Sequence, residues 1–583
     1  MNREATNTGN TISQNLAGFS CLSEALDYAA AGVTGCNFYD ARGRLNAVLP
    51  YSELRQQARV AARRLLSMNL KRGDHVALVA DTHPDFIVLF FACQYVGLVP
   101  FAMPIPLNLG SHAVYVQQLS GLLSSGRAKV AIAHKEFISF LEEASADNEH
   151  LQWIGTPEQL ADIPLSELPM QPSRPAEPAY LQFTSGSTRA PQGVVITGKA
   201  VMSNLQGITR SGLQVHNGDR CASWLPFYHD MGLVGFVLGP IASQLSVDYL
   251  RTRDFAIRPL QWLRLISRNR CTIAFSPPFG YELCTRRIRS ADLEQLDLDC
   301  WRIAGIGAEM LRSSTFKAFA QTMAATGFDA NAFLPCYGLA EASLAATFSE
   351  LERGLDVMSV DALTMAERGI AVRVQSDHRK INQIVNCGRA LPEHEIRIVG
   401  NDGELLPDLR VGRVLVKGPS LMDGYLDDQQ ATDRVMLENG WLDTGDLGYL
   451  YCDNLYLTGR RKDIIIVNGR NIRAQDLEEI AEEMDGVRMG ESSAFDIELD
   501  NGQQIVVLVV ECRLTDSTAR QLLIKQLQRK VYEGFGIFCY VDLVDPHTLP
   551  RTSSGKLSRV AARKGFTERV DLAQAATLQA ETA

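Results

Sequence analysis

The chain has 583 residues, with 57 basic against 67 acidic side chains, a formal charge of −10, 46% hydrophobic and 21% charged residues. That balance excludes a disordered chain or a fibrous repeat, and a chain this long can bury its cores without disulfide or metal staples. Its acidity argues against nucleic acid as a partner, and small anionic ligands would need local positive sites.

The polar amino-terminal stretch lacks the charged-then-apolar order of a secretion signal, so a cytoplasmic location is expected. Twelve cysteines are scattered singly from Cys21 to Cys539, without C-x-x-C or zinc-ligand spacing, which predicts reduced thiols. Residues 86–106 are apolar enough to imitate a membrane span, but Gly97, Pro100, Pro104 and Pro106 break the stretch. The expectation is a buried helix ending near Tyr95, then a short strand, and no membrane span. Short apolar runs at 75–80, 130–133, 194–197, 272–275 and 302–306 alternate with helical segments up to about residue 455. Such alternation predicts an α/β fold with largely parallel sheets. Six prolines in 155–180 read as a surface connection into a strand at 180–184.

Beyond Gly459 the pattern changes. A strand is predicted at 463–467, a turn at Asn468-Gly469, and a helix with Ala474, Leu477, Ile480, Ala481 and Met484 on one face. Two strands (493–497, 505–512), a helix (518–532) and a strand (540–544) follow. The expected division is a large domain at 1–458 and a small α+β domain at 459–583.

The segment Thr184-Ser185-Gly186-Ser187-Thr188-Arg189-Ala190-Pro191-Gln192-Gly193 lies between two predicted strands. Hydroxyls and glycine-freed N–H groups on one tight loop suit polyphosphate oxygens, although a polar surface turn would look the same. Two better-known phosphate motifs fail on detail. Residues 193–199 fit GxxxxGK, but Ala200 replaces the hydroxyl residue, and Val194 to Thr197 are strand formers. Gly305-Ile306-Gly307 begins GxGxxG, but Met310 replaces the third glycine. Further on, Tyr337, Gly338 and Glu341 put an aromatic ring and a carboxylate close together, suited to a base and a magnesium ion. Asp446 in Trp441-Leu442-Asp443-Thr444-Gly445-Asp446 is able to accept from ribose hydroxyls. Residues 549–557 form a basic loop carrying Lys556.

Taken in order, TSGSTRAPQGV at 184, LPFYHDMG at 225, YGLAE at 337, GWLDTGD at 440, GRRKDIIIVNGRNI at 459 and PRTSSGK at 550 resemble the adenylate-forming superfamily. Trp224 to Leu233, Ala308-Glu309 and Val385-Asn386-Cys387-Gly388 look like the segments of fatty acyl-AMP ligases. The 46 residues from Glu341 to Cys387 leave room for the insertion these ligases share, expected at about 350–384. Arg189, Gln192 and Arg413 depart from the superfamily pattern.

The resemblance implies a large multi-subdomain amino-terminal domain with a small mobile carboxy-terminal one, ATP and Mg2+ as cofactors, and a medium- or long-chain fatty acid as substrate. By the same resemblance Thr184, Ser185, Gly186, Ser187 and Thr188 hold phosphates, and Glu341 with Thr188 holds magnesium. Tyr337 stacks on adenine, with Gly307, Ala308, Glu309 and Gly338 counted in the nucleotide site. Asp446 with Arg460 binds ribose, Lys556 reaches the α-phosphate, His229 gates the acyl site and Lys462 is the hinge. The acyl tunnel is expected near 224–235 and 276–284. The chain has no DSL-type phosphopantetheine serine, so an acyl carrier protein, stand-alone or embedded in a synthase, is the expected acceptor in trans. Alternatives are a long-chain acyl-CoA synthetase and a silent nucleotide-binding interaction protein.

Overall fold

The apolar stretch that imitates a membrane span resolves into two buried elements. Helix Pro84–Val96 is capped by His83, whose side chain accepts from the Asp85 N–H, and it carries proline at its first position. Gly97 ends it at φ 69, a left-handed conformation that favours glycine. Every residue from Phe86 to Val96 is buried, so this helix is wrapped on all sides. Strand Val99–Met103 follows, buried throughout. No helix among the described residues is long and apolar enough to cross a membrane. The computed structural model describes residues 12–575, apart from 107–111, 185–190, 376–380, 468–469, 489, 500–503, 552–556 and 573–574.

Two large sheets make the body of the amino-terminal domain. In the seven-stranded sheet, strands Pro178–Phe183, Val99–Met103, His75–Val79, Ala128–Ile132 and Trp153–Gly155 run parallel in that order. Gly193–Thr197 and the two-residue strand Gly424–Tyr425 add antiparallel at one edge. In the nine-stranded sheet the parallel run is Phe333–Gly338, Ile303–Ile306, Ile273–Ser276, Arg220–Ser223, Ser246–Leu250 and Gly35–Tyr39. Helices cover these strands, which accounts for their continuous apolar runs.

Residues 395–460 depart from the expected parallel pattern. Glu395–Val399, Gly412–Lys417, Trp441–Tyr451, Met436–Leu437 and Asn454–Arg460 form an antiparallel five-stranded sheet. An apolar run such as Val414-Leu415-Val416 reads alike in either kind of sheet, so the direction of pairing was not visible in it. In the segment expected to be an insertion, Val357–Asp361 pairs antiparallel with Ile381–Val385, and helix Ala362–Arg368 lies between them. Met358, Val360, Met365 and Ile384 pack there against Tyr449 and Tyr456, whose rings stack 5.1 Å apart.

Strand Asn454–Arg460 runs through the expected domain boundary, and the chain leaves its sheet at the turn Arg461–Asp463. The smaller carboxy-terminal domain then has its own cores. In strand Gln504–Glu511 the period of two sends Val506, Leu508 and Val510 to one core and Ile505, Val507 and Val509 to another. Each such fully buried aliphatic side chain contributes about 1.5–3 kcal/mol relative to exposure. Helix Ala474–Glu482 buries Ala474, Leu477 and Ala481 in the first of these cores, with Ile480 and Met484 packed against it.

Candidate active site

Several of the residues singled out in the sequence stand at the carboxyl ends of parallel strands, where an open α/β sheet leaves its crevice. Thr184 follows strand Pro178–Phe183, Gly307 follows Ile303–Ile306, and Gly338 closes Phe333–Gly338. All three line one cleft of about 2150 Å³ that continues to the carboxy-terminal domain. Ser185, Gly186, Ser187, Thr188 and Lys556 lie outside the described residues.

Backbone geometry at the cleft is tightly constrained. A Cβ on Gly338 would come within 1.8 Å of the Leu344 carbonyl oxygen, so only glycine lets the chain turn here. Ala308 adopts φ 68, unusual for a side-chain-bearing residue, beside Glu309 on the cleft wall. Such a conformation costs about 1–3 kcal/mol and is held by its surroundings.

Glu341 sits on the 3-10 turn Ala340–Ala342, just past the strand that carries Tyr337. Its Oε1 accepts from the Tyr425 hydroxyl at 2.8 Å, and its carbonyl accepts from the Met422 N–H at 2.8 Å. Because Gly424–Tyr425 is paired with Val194 and Val195, the carboxylate is held between the two large sheets. Burial raises the Glu341 carboxyl above the ordinary carboxylate range, and the Tyr425 hydrogen bond opposes this. Tyr425 carried no motif in the sequence; only pairing over 84 positions brings it to Glu341.

Tyr337, Asp446 and Arg460 form a second group. The Tyr337 hydroxyl donates to Asp446 Oδ2 at 2.7 Å, and Arg460 Nε lies 3.4 Å from Asp446 Oδ1. Asp446 and Arg460 face each other across antiparallel strands, so the pair follows from register. Burial raises Asp446 as well, with Arg460 pulling the other way. Arg460 itself is exposed and lines the cleft.

His229 caps the short helix Asp230–Leu233 and lines the cleft, its Nδ1 2.6 Å from Asp230 Oδ1. Beyond it Ile208, Leu213, Val215, Phe236, Pro240 and Leu245 give part of the cleft an apolar wall. Segments Gly207–Gly212 and Val234–Leu238, which carry part of this wall, are π-helical, a distortion frequent at functional sites. Residues 208–215 and 236–245 were absent from the sequence expectation, because their spacing is that of any buried helix. Of the other expected segment, Phe279 and Glu282 reach the cleft beside Arg253 and Arg286, in a more polar part of it.

Lys462 lies exposed on the turn Arg461–Asp463, also on the cleft wall. Of the departures found in the sequence, Arg189 lies outside the described residues, Gln192 Nε2 donates to Asp428 at 3.4 Å, and Arg413 pairs with Asp443 at 2.5 Å. Contacts between the domains were not visible in the sequence. Arg312, a few residues beyond Ala308, pairs with Glu479 at 3.1 Å and with Glu482, both from helix Ala474–Glu482. Arg470 pairs with Glu367 at 3.0 Å, joining the carboxy-terminal domain to the helix at 362–368.

Comparison with known proteins gives the chain a family. The AMP-binding enzyme family matches residues 41–426. A Caulobacter vibrioides protein named "Putative acyl-CoA synthetase" is 44% identical over 96% of this chain and 98% of its own length. The medium-chain-fatty-acid–[acyl-carrier-protein] ligase JamA of Moorena producens is 31% identical over 89% of this chain and 90% of its own. A solved structure from work on fatty acyl-adenylate ligases of E. coli and L. pneumophila superposes with TM-score 0.91 at 46% identity, covering 96% of this chain and 99% of that one. The chain belongs to the AMP-binding enzyme family, and within it to the group of the fatty acyl-AMP ligases.

Proposed function

We propose that this protein activates a medium- or long-chain fatty acid with ATP, forming acyl-AMP and pyrophosphate, and passes the acyl group to the phosphopantetheine thiol of a carrier protein. The observation that carries the reading is one continuous cleft, joining the apolar wall at Ile208 to Leu245 with Tyr337, Asp446, Arg460 and Glu341. An acyl chain suits the first part and a nucleotide the second.

In the first step a carboxylate oxygen attacks the α-phosphorus, so two anions have to meet and charge neutralisation dominates. Asp446 accepts from the ribose hydroxyls with Arg460 beside it, and Tyr337 presents its ring to adenine while its hydroxyl holds Asp446. Magnesium takes one or two carboxylates together with substrate phosphates and water. Glu341 fits that donor set, as a carboxylate on the cleft wall whose side-chain donor is Tyr425. The ion would supply charge neutralisation on the phosphates. Lys556→Ala should slow ATP–pyrophosphate exchange by roughly 10²- to 10³-fold, the usual loss for one preorganised donor. Unchanged exchange would remove this lysine from the mechanism.

Support for a carrier protein as acceptor comes from JamA and from TtuA of Teredinibacter turnerae, both named as fatty-acid–[acyl-carrier-protein] ligases. The Arg470–Glu367 pair adds a physical reason, because it restrains the carboxy-terminal domain against the segment at 357–385. The Caulobacter relative favours the second reading, an acyl-CoA synthetase. Purified protein given ATP, magnesium, dodecanoate and equal concentrations of holo-carrier protein and CoA should load the carrier and make little acyl-CoA. Rapid acyl-CoA formation would promote the second reading.

A further inference from the structure

Although the chain carries a net charge of −10, residues 251–289 hold nine arginines against two acidic residues. Some of these are engaged elsewhere. Arg264 pairs with Asp292 at 2.8 Å, Arg270 with Asp297 at 2.8 Å, and Arg268 lies over the Tyr39 ring. Arg253, Arg286 and Arg287 stand on two helices, Thr252–Ile257 and Pro278–Arg287, which are pinned to one indole. Trp224 stacks on Phe255 with ring centroids 3.8 Å apart and meets Phe279 edge-on at 5.4 Å.

Arg253 and Arg287 are exposed and make no ion pair among the described residues; Arg286 reaches only its helix neighbour Glu282, at 3.3 Å. Apolar surface accompanies them, with Ile257 60% and Phe279 37% exposed. Unpaired guanidinium groups around exposed apolar side chains are the composition of an interface with an acidic partner. This rim also borders the cleft, because Arg253, Ala256, Phe279 and Arg286 line it together with Ala308 and Glu309 at the nucleotide site.

We infer that this arginine rim is where an acidic carrier protein docks, with its pantetheine arm running inward past Phe279 and Glu282 toward the acyl-adenylate. The inference rests on the carrier-protein reading of the preceding section. A membrane supplying fatty acid is the less fitting occupant. The walls between the rim and Glu309 carry Glu282, Arg286 and Arg312, which suit the amides of pantetheine better than an acyl chain. At the end of the arm the thiol sulfur bonds to the acyl carbonyl carbon, the bond from that carbon to the phosphate oxygen of AMP breaks, AMP leaves with the electron pair, and the thiol proton passes to solvent.

The test is the reversal Arg287→Glu, at the exposed rim arginine that does not line the cleft, in the full-length protein, measured with holo-carrier protein, free pantetheine and CoA. ATP–pyrophosphate exchange should stay at the wild-type rate, which also reports that the variant is folded. Transfer to the carrier should fall about tenfold or more through KM, and lose part of its salt dependence, as expected for a rim charge that acts on encounter. Transfer to free pantetheine should be unaffected. Unchanged carrier transfer would overturn the inference, as would an equal loss with pantetheine, which would place the arginine on the arm and not on the carrier. Loss of binding to phosphatidylglycerol vesicles with carrier transfer intact would assign the rim to a membrane instead. Failure of the wild type to load any carrier while it makes acyl-CoA overturns the functional reading itself, a result separable from failure of the docking site.

Discussion

A carboxylate inside the nine-stranded sheet and two at the cleft beside it are built to opposite ends. Asp248 lies toward the amino ends of the parallel strands. Its oxygens accept from Arg220 at 2.7 and 2.8 Å, from Asn37 at 2.8 Å, from Asn269 at 2.9 Å and from the Cys271 thiol at 3.3 Å. Every lone pair has a donor and the aspartate is fully buried. At the cleft Glu341, just past the carboxyl end of one of these strands, has one side-chain donor, Tyr425, while Asp446, on the antiparallel sheet, has Tyr337 and a longer contact to Arg460. Both are raised by burial. A buried charge that is completely satisfied holds a fold together, whereas one left short of partners is ready for a ligand to complete it.

This contrast is open to attack from both sides. The largest effect should come from Asp248→Ala, which leaves the Arg220 guanidinium buried without its partner. Denaturant unfolding should show a loss of about 3–5 kcal/mol, with pyrophosphate exchange per folded molecule retained. Glu341→Gln should do the reverse. Exchange should fall roughly 10²-fold, since the proposed magnesium ligand is gone, while the unliganded protein becomes slightly more stable.

The sign follows from the raised folded-state value of Glu341. Its protonated form favours the folded state below the ordinary carboxylate range, and that contribution is lost as pH rises through the elevated one. Wild-type melting temperature should therefore fall over that window, and Glu341→Gln should flatten the profile. Asp446→Asn should raise the KM for ATP about tenfold with a smaller effect on kcat, the scale of one charge-assisted hydrogen bond. The smallest change is expected from Tyr425→Phe. Removing a hydrogen bond that opposes the upward shift of Glu341 should move the acidic limb of the exchange rate to higher pH and cost only a few-fold in rate.

How far the sequence foretold this arrangement depended on whether the chemistry was local. Tyr337, Glu341 and Asp446 could be singled out because each sits in a short segment whose residue types suit a nucleotide, whereas Arg460 came only from the family resemblance. The helix at 84–96, its glycine stop and the alternating carboxy-terminal strands were legible because capping and periodicity are local rules. Tyr425 and Arg312 were not, because they act through pairing across sheets and across domains. The antiparallel sheet at 395–460 was also missed, since an apolar run does not record the direction of its neighbour. Residues 224–235 were named for the acyl tunnel and several of them line the cleft, but the apolar wall at 208–215 and 236–245 was hidden for a similar reason: a side chain lining a tunnel and one filling a core are the same residue type.

The central claim is that the cleft joins a fatty acid to AMP, and direct detection of the product tests it most plainly. Mass spectrometry of the purified protein incubated with ATP, magnesium and dodecanoate should reveal dodecanoyl-AMP together with released pyrophosphate, and Glu341→Gln should reduce both. Absence of acyl-adenylate from the wild type with fatty acids across the medium- and long-chain range would contradict the account and leave a nucleotide-binding protein without turnover.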